Sequence, residues 1–109
     1  MKTISTVMAA YNGEKYLREQ IESILNQSLQ PQKILVVDDF STDSTPSIIS
    51  KLQKKYHDLI VFERNKQNLG PKKTFERGIH LCKTDYIALC DQDDIWKPDK
   101  LRKCHDALE

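Results

Sequence analysis

The sequence predicts an α/β fold with a parallel sheet and helices packed on both of its faces. Short, almost continuous apolar runs alternate along the chain with longer stretches in which apolar residues recur every three or four positions. Continuous apolar runs favour strands that are buried on both faces, and right-handed strand–helix–strand units make such strands parallel. The length of 109 residues predicts a single domain, residues 1–109.

The first half of the chain predicts two strands and two helices. Residues 3–9 are rich in β-branched side chains and predict a strand. Asn12-Gly13 breaks the chain and can cap a helix that begins near Glu14. One apolar stripe of this helix is formed by Leu17, Ile21, Ile24 and Leu25. Residues 34–37 predict the second strand. Thr45-Pro46 supplies an N-cap and a first helical residue, and the apolar face of this second helix carries Ile48, Ile49, Leu52 and Tyr56.

The second half repeats the pattern. Residues 59–62 and 86–90 predict the third and fourth strands, and a proline opens the helix that follows each of them. The helix that begins at Pro71 carries an apolar face formed by Phe75, Ile79 and Cys82. The helix that Pro98 opens carries Leu101, Cys104 and Leu108. Strands and helices therefore alternate to the end of the chain.

Composition excludes several classes of function. The net charge of +1 argues against a general affinity for nucleic acid or anionic lipid. No apolar run approaches the roughly 18 residues that a membrane-spanning helix needs. The three cysteines follow no metal-binding spacing, so we expect free thiols in a reducing cytoplasm.

Polar residues gather where the predicted strands end. The first strand ends in AAYN, the second in DDFSTD and the fourth in DQDD. Open parallel sheets bind ligands outside the carboxyl ends of their strands, so two acidic clusters and Tyr11 are expected on one rim. Helix capping alone could explain DDFSTD. Adjacent carboxylates repel, so DQDD needs either water or a bound cation to compensate its charge.

A nucleotide at this rim would need an unusual phosphate site. The chain has only three glycines and contains neither GxGxxG nor GxxxxGK[ST], so a Rossmann or P-loop turn is absent. Divalent cations such as Mg²⁺ and Mn²⁺ prefer oxygen ligands, and Mg²⁺ commonly combines one or two carboxylates with ligand phosphates. A carboxylate–metal–diphosphate bridge is the remaining plausible device.

Three ordered motifs carry a family resemblance. The segments STVMAAYNGEKYLREQIESILNQSLQPQKILVVDDFSTDST, NLGPKKTFERGI and YIALCDQDDIWKPDKL together resemble the N-terminal half of a family 2 glycosyltransferase with the GT-A fold. The similarity is strongest to bacterial rhamnosyltransferase-like members that carry DQDDIW. It covers essentially the whole chain. It implies transfer of a sugar from a UDP- or dTDP-sugar to an acceptor hydroxyl, with inversion, in polysaccharide or cell-surface glycan synthesis.

The resemblance also implies roles for particular residues. Ala9 and Tyr11 would line the base pocket, with Glu14 nearby, and Asp39 would accept a hydrogen bond from the pyrimidine N3–H. Asp91 would bind the ribose hydroxyl, and Asp93 would coordinate Mn²⁺ or Mg²⁺ against the diphosphate. Lys73 occurs where the family often places a basic residue near phosphate. Trp96 is interpreted as a packing anchor under the acidic loop.

The resemblance leaves part of an enzyme unaccounted for. Family members continue into a half that binds a glycan or lipid-linked acceptor and supplies the general base, so we expect no catalytic residue in this chain and interpret it as a truncated donor-binding portion. We expect a cytoplasmic protein, with a peripheral location at the inner membrane face as an alternative. The strand 86–90 would have an uncovered edge, which predicts self-association.

Two alternatives differ in class. A receiver-like signalling module also gathers aspartates and Mg²⁺ at a strand rim, but it keeps its acidic pair after the first strand, where this chain has AAYN. A nucleotide-sugar-binding domain without catalysis is the other alternative.

Overall fold

The computed structural model describes residues 2–91 and 94–109, and these form a four-stranded parallel sheet flanked by helices. The strands are β1 (Ile4–Ala10), β2 (Ile34–Asp38), β3 (Ile60–Arg64) and β4 (Tyr86–Cys90). The helices are α1 (Leu17–Leu25), α2 (Thr45–Lys55), α3 (Pro71–Leu81) and α4 (Lys100–Leu108). The strand order is β3-β2-β1-β4, and every neighbouring pair is parallel. The predicted α/β class and the alternation of elements are confirmed.

The order of the strands places helices on both faces of the sheet. From β1 the chain moves outward through β2 to β3 and then returns to the other side of β1 to form β4. Right-handed connections therefore put α3 on the face opposite α1 and α2. Met8 and Val36 pack in one cluster with residues of α1, α2 and α4. Val7 and Val37 point to the other face, where α3 lies. The doubly wound arrangement is confirmed.

Helix α3 buries a different face from the predicted one. Its buried residues are Thr74 and Gly78, whereas Phe75 is half-buried and Ile79 is exposed. A Cβ atom added at Gly78 would lie 2.4 Å from Cγ1 of Val7, which is shorter than any ordinary carbon contact. The absent side chain therefore lets α3 lie directly on β1 and β2, and the face that packs on the sheet is not the apolar face of Phe75, Ile79 and Cys82.

Helix α3 begins at Pro71 as predicted, and the starts of the other three helices differ from the predictions by one to three residues. α1 begins at Leu17 rather than near Glu14, and the Asn12 side chain accepts a hydrogen bond from the Thr42 amide instead of capping this helix. α2 begins at Thr45, whose own amide donates to the Asp43 carboxylate. α4 begins at Lys100, two residues after Pro98. For α1 the difference arises because Asn12 pairs with the loop after β2, a partner that local sequence does not reveal.

The edge strand β4 leaves apolar surface uncovered in this chain. Tyr86, Ala88 and Cys90 face the cluster on the α1 side, so Ile87 and Leu89 point to the opposite face. Leu89 is 50% exposed. Trp96, just beyond β4, is buried in the main core, which confirms its interpretation as a packing anchor. None of the helices in the described ranges has the length and apolar character to cross a membrane.

Candidate functional site

A pocket of about 510 Å³ lies outside the carboxyl ends of β1, β2 and β4. Its volume is within the range of small-molecule sites. Residues from the three strand ends and from the start of α3 line it: Ala9, Ala10, Tyr11, Asp39, Asn68, Gly70, Pro71, Thr74, Phe75 and Asp91. The structure therefore brings together four of the residues that the sequence predicted, Ala9, Tyr11, Asp39 and Asp91. Their role in binding stays a prediction.

Asp39 is the buried carboxylate of this pocket. It directly follows β2 and is 4% exposed. Its Oδ1 accepts hydrogen bonds from the Leu69 amide at 2.7 Å and from Nδ2 of Asn65 at 2.9 Å. Its Oδ2 accepts one from the Gly70 amide at 3.0 Å. An ionised carboxylate offers about four acceptor positions, so Oδ2 keeps capacity for one more donor.

These contacts keep the Asp39 carboxyl ionised. Burial works to raise its pKa, but the hydrogen bonds from Leu69, Asn65 and Gly70, with a smaller contribution from the Thr74 side chain, together outweigh burial, so the pKa lies below the ordinary value of 3.8. Hydrogen bonds to the charged form are the cause. At neutral pH the pocket therefore presents a negatively charged acceptor.

The turn after Asp39 is held in a strained conformation. Phe40 has a φ of +63°, a region that bulky residues rarely adopt. The Arg64 guanidinium lies 5.0 Å from the centre of the Phe40 ring and donates to the Ser41 carbonyl at 2.8 Å. Arg64 Nε also pairs with the buried Asp38 carboxylate at 3.2 Å. Arg64 therefore fixes the direction in which the chain leaves β2, and with it the position of Asp39.

The loops after β1 and β2 are joined by hydrogen bonds that use most of DDFSTD. The amides of Asn12 and Gly13 each donate at 2.9 Å to the hydroxyls of Ser41 and Thr45. In return, the Thr42 amide donates to the Asn12 side chain at 2.8 Å. These contacts hold the Tyr11 loop against the end of β2. The serine, threonine and final aspartate of DDFSTD thus serve structure, and Asp39 alone of that motif lines the pocket.

Glu14 belongs to the same loop junction and does not line the pocket. Its carboxylate accepts hydrogen bonds from the amide and hydroxyl of Ser44. Its own amide donates to the Asp43 carboxylate at 3.3 Å. The Glu14 carboxylate is thus occupied by Ser44 at the start of α2. Glu14 can affect the pocket only by holding the loop after β1 in place.

Lys73 and the aspartates of DQDD differ in where the structure places them. Lys73 is exposed on α3 and does not line the pocket. Asp91 lines the pocket, and its side chain has no hydrogen-bond partner among residues 2–91 and 94–109. Asp93 lies outside the described residues. Asp94 is already engaged, because its Oδ2 accepts from Nε1 of Trp96 at 3.1 Å and lies 3.7 Å from Nζ of Lys100.

Sequence reasoning missed the pocket wall that the loop after β3 and the first turn of α3 provide. Gly70 has a φ of +90°, which favours glycine, and it allows the Leu69 and Gly70 amides to point at the same carboxylate. Thr74 and Phe75 occupy the next turn. The adjacent Asn68-Leu69-Gly70-Pro71 was the available signal, since it combines turn residues with a helix start directly after a strand.

Comparison with known proteins places the chain in a family. The family described as Glycosyl transferase family 2 matches residues 5–109. The chain belongs to glycosyltransferase family 2. It is 38% identical over 105 residues to a dTDP-rhamnosyl transferase of Shigella flexneri, covering 93% of this chain and 36% of that protein. It is 37% identical over 93 residues to a poly(ribitol-phosphate) beta-glucosyltransferase of Bacillus spizizenii, covering 84% of this chain and 15% of that protein.

Solved structures of GT-A glycosyltransferases share the fold. A crystal structure of S. aureus TarS residues 1–349 with UDP-GlcNAc has a TM-score of 0.83 at 27% identity and covers 95% of this chain and 30% of that chain. A mannosyltransferase of Pyrobaculum calidifontis, solved with GDP-Man and Mn²⁺, has a TM-score of 0.80 at 20% identity over 87% of this chain and 28% of that chain. The chain thus has the fold of the N-terminal part of the GT-A glycosyltransferases, and the receiver-like alternative is wrong. It spans about a third of the length of the first relatives it matches.

Proposed function

We propose that residues 1–109 are the donor-binding portion of a glycosyltransferase that uses a UDP- or dTDP-sugar. The observation that carries this proposal is the ionised Asp39 carboxylate, which retains an acceptor position within a pocket of suitable size. TarS, solved with UDP-GlcNAc, and the Shigella flexneri relative, named as a dTDP-rhamnosyl transferase, support a pyrimidine nucleotide.

The pocket chemistry suits uracil and thymine. Both bases carry an N3–H, which is the donor that the remaining acceptor position of Asp39 Oδ2 can take. Cytosine has an unprotonated N3 and would present a lone pair to that carboxylate. Tyr11, which is 44% exposed in this structure, supplies an aromatic face for stacking at the pocket. Ala9, Pro71 and Phe75 supply apolar contacts.

The acidic segment after β4 fits a divalent cation in its chemistry. Carboxylates are hard oxygen ligands of the type that Mn²⁺ and Mg²⁺ accept. The Asp91 carboxylate lies at the pocket and has no hydrogen-bond partner within residues 2–91 and 94–109, and Asp93 would be the metal ligand together with the diphosphate. A bound ion would neutralise charge on the departing nucleoside diphosphate. Mn²⁺ in the Pyrobaculum calidifontis mannosyltransferase supports this part of the proposal.

The transfer itself would require more protein than this chain. We propose that the 109-residue chain binds the donor without transferring its sugar, and that a glycan or lipid-linked acceptor and the general base of an inverting reaction belong to a further half. The relatives, about three times as long, support this division. The whole protein would act in polysaccharide or cell-surface glycan synthesis, in the cytoplasm or at the inner face of the membrane. Glu14 and Lys73 do not line the pocket, and their part in donor binding stays a prediction.

Isothermal titration with a panel of nucleoside diphosphates tests the proposal. We expect UDP and dTDP to bind at least about tenfold more tightly than CDP, because CDP cannot donate from N3 to Asp39 and a charge-assisted hydrogen bond is worth about 1.5–3 kcal/mol. CDP is the matched control, since it has the same ring size and diphosphate. ADP and GDP should also bind poorly. Equal affinity for all five ligands would contradict the base assignment.

Self-association of this chain is a separate expectation. Leu89 is half exposed on the edge strand β4, and an apolar strand edge tends to pair with another chain. Light scattering should therefore show a mean mass that rises with protein concentration toward the millimolar range. The variant Leu89→Lys should reduce the rise. A mass that stays at 12.7 kDa throughout would contradict the expectation.

A further inference from the structure

Asn65 is the centre of a buried hydrogen-bond network behind the pocket. It directly follows β3 and is 2% exposed. Its Nδ2 donates to Asp39 Oδ1 at 2.9 Å and to the Thr74 hydroxyl at 3.0 Å. Its Oδ1 accepts from Nη1 of Arg77 at 2.7 Å. Asn65 does not itself line the pocket, so it would not be found by inspecting the residues around a ligand.

The chemistry of its neighbours allows one orientation of the Asn65 amide. An arginine can only donate and an ionised carboxylate can only accept, so the amide oxygen must face Arg77 and the nitrogen must face Asp39. The Thr74 hydroxyl donates to the Gly70 carbonyl at 2.7 Å and is therefore an acceptor toward Asn65. The network thus has a fixed direction, from Arg77 through Asn65 to Asp39.

Asn65 differs from the other donors to Asp39 in where it is anchored. The Leu69 and Gly70 amides belong to one loop, which is joined to α3 because the Gly70 carbonyl accepts from the Thr74 amide and hydroxyl. Asn65 is tied to the sheet through its own amide, which donates to the Asp38 carbonyl at 2.8 Å, and to α3 through Thr74 and Arg77. It therefore ties Asp39 directly to both the sheet and α3.

We propose that Asn65 is a positioning residue that engages Oδ1 of Asp39 and thereby reserves Oδ2 for the N3–H of the pyrimidine base. The inference rests on the proposed function, because it assumes that a uracil or thymine base reaches Asp39. A nucleotide with a methyl group in place of the N3 hydrogen is the probe that separates positioning from a general structural role.

The experiment measures the affinity of UDP and of 3-methyluridine diphosphate for the parent chain and for Asn65→Leu. Leucine has the branched shape of asparagine and cannot donate. For the parent we expect UDP to bind at least about tenfold more tightly than the methylated ligand. For Asn65→Leu we expect UDP affinity to fall about tenfold and the ratio of the two affinities to approach one. Loss of a purely structural contact would weaken both ligands equally and keep the ratio.

Gln27→Met is the matched control. Gln27 is 3% exposed and donates to the Ser23 and Lys97 carbonyls at 3.1 and 2.7 Å, while its Oε1 accepts from the Leu101 amide at 2.9 Å. It is a buried amide with as many partners as Asn65, but it lies between α1 and α4. We expect the same ratio as in the parent chain.

The outcomes distinguish the inference from the proposed function. If the parent chain does not discriminate between the two ligands, the assignment of the base to Asp39 fails. If the parent discriminates and Asn65→Leu keeps the full ratio, the positioning role is overturned. If Asn65→Leu does not fold, Arg77→Met replaces it, because the Arg77 side chain is 39% exposed and its loss frees the Asn65 amide to turn. For Arg77→Met we expect the ratio of the UDP affinity to the affinity of the methylated ligand to fall measurably, but less than we expect for Asn65→Leu. An unchanged ratio in Arg77→Met would overturn the positioning role.

Discussion

Asp39→Asn should weaken UDP and dTDP binding by about 10–100-fold, because it replaces a charge-assisted hydrogen bond worth about 1.5–3 kcal/mol. The amide also introduces a mismatch. If its oxygen takes the Oδ1 position, where Leu69 and Asn65 both donate, its NH₂ group faces the Gly70 amide and the base N3–H. The NH₂ group then occupies the Oδ2 position, where it can accept a hydrogen bond from neither the Gly70 amide nor the base N3–H.

Asp43→Asn is the control for this substitution. Asp43 belongs to the same DDFSTD motif, and its carboxylate accepts from the amides of Thr45 at 2.8 Å and Glu14 at 3.3 Å, but it does not line the pocket. We expect this variant to lose stability. Its nucleotide affinity should stay within about threefold of the parent, a change in binding free energy of less than about 0.7 kcal/mol. Calorimetric titration measures both variants. If Asp39→Asn retains parental affinity, Asp39 does not contact the base.

The lowered pKa of Asp39 also determines how pH should act. The folded-state pKa lies below the ordinary value of 3.8, so the ionised carboxylate stabilises the fold fully above that value. This contribution is lost as pH falls through the ordinary value toward the lower folded-state pKa. Between about pH 5 and 8 the Asp39 carboxylate stays ionised. Titration of Asp39 should therefore cause no change in nucleotide affinity across this pH range.

The strand ends could be predicted from the sequence because two general rules coincide there. Apolar runs located the four strands to within about two residues, and parallel sheets gather ligand-binding residues at the carboxyl ends of their strands. Together these rules brought Ala9, Tyr11, Asp39 and Asp91 to one rim, and the structure confirms that placement. The family resemblance added the proposed roles.

The contacts between loops could not be predicted in the same way. Glu14 looked like a candidate for the pocket, yet its carboxylate bonds Ser44, 30 positions along the chain. Asn12 looked like a helix cap, yet it accepts from Thr42. Polar side chains of this type have many equivalent short-range partners, and the partner that is used depends on which two loops the fold brings together.

Helix α3 shows why periodicity alone misplaced a buried face. Phe75 and Ile79 are the larger apolar residues, but Thr74 and Gly78 face the sheet. Gly78 is needed because Val7 leaves no room for a Cβ atom, and Thr74 is needed because its hydroxyl satisfies Asn65 and Gly70. Close approach of backbones and satisfaction of buried polar groups outweighed apolar area. Phe75 is thereby released to the wall of the pocket.

Divalent cation and nucleotide should bind this chain cooperatively. One or two carboxylates make a weak metal site by themselves, so Mn²⁺ should matter chiefly when a diphosphate supplies further oxygen ligands. Thermodynamic linkage then requires that each ligand raise the affinity of the other by the same factor, which we expect to be about tenfold or more. Titrations of UDP and dTDP with Mn²⁺ or with a chelator measure this factor.

Variants of the acidic segment DQDD identify the ligand. Asp93→Asn keeps the size of the side chain but removes its charge, so it should abolish the Mn²⁺ enhancement without unfolding the protein. Asp94→Asn is the matched control, because the Asp94 carboxylate is already held by Trp96 and Lys100 and should be dispensable for the metal. Asp91→Asn should weaken nucleotide binding and retain part of the metal response. If UDP binds equally well with Mn²⁺ and with chelator, water rather than a cation compensates the charge of these carboxylates.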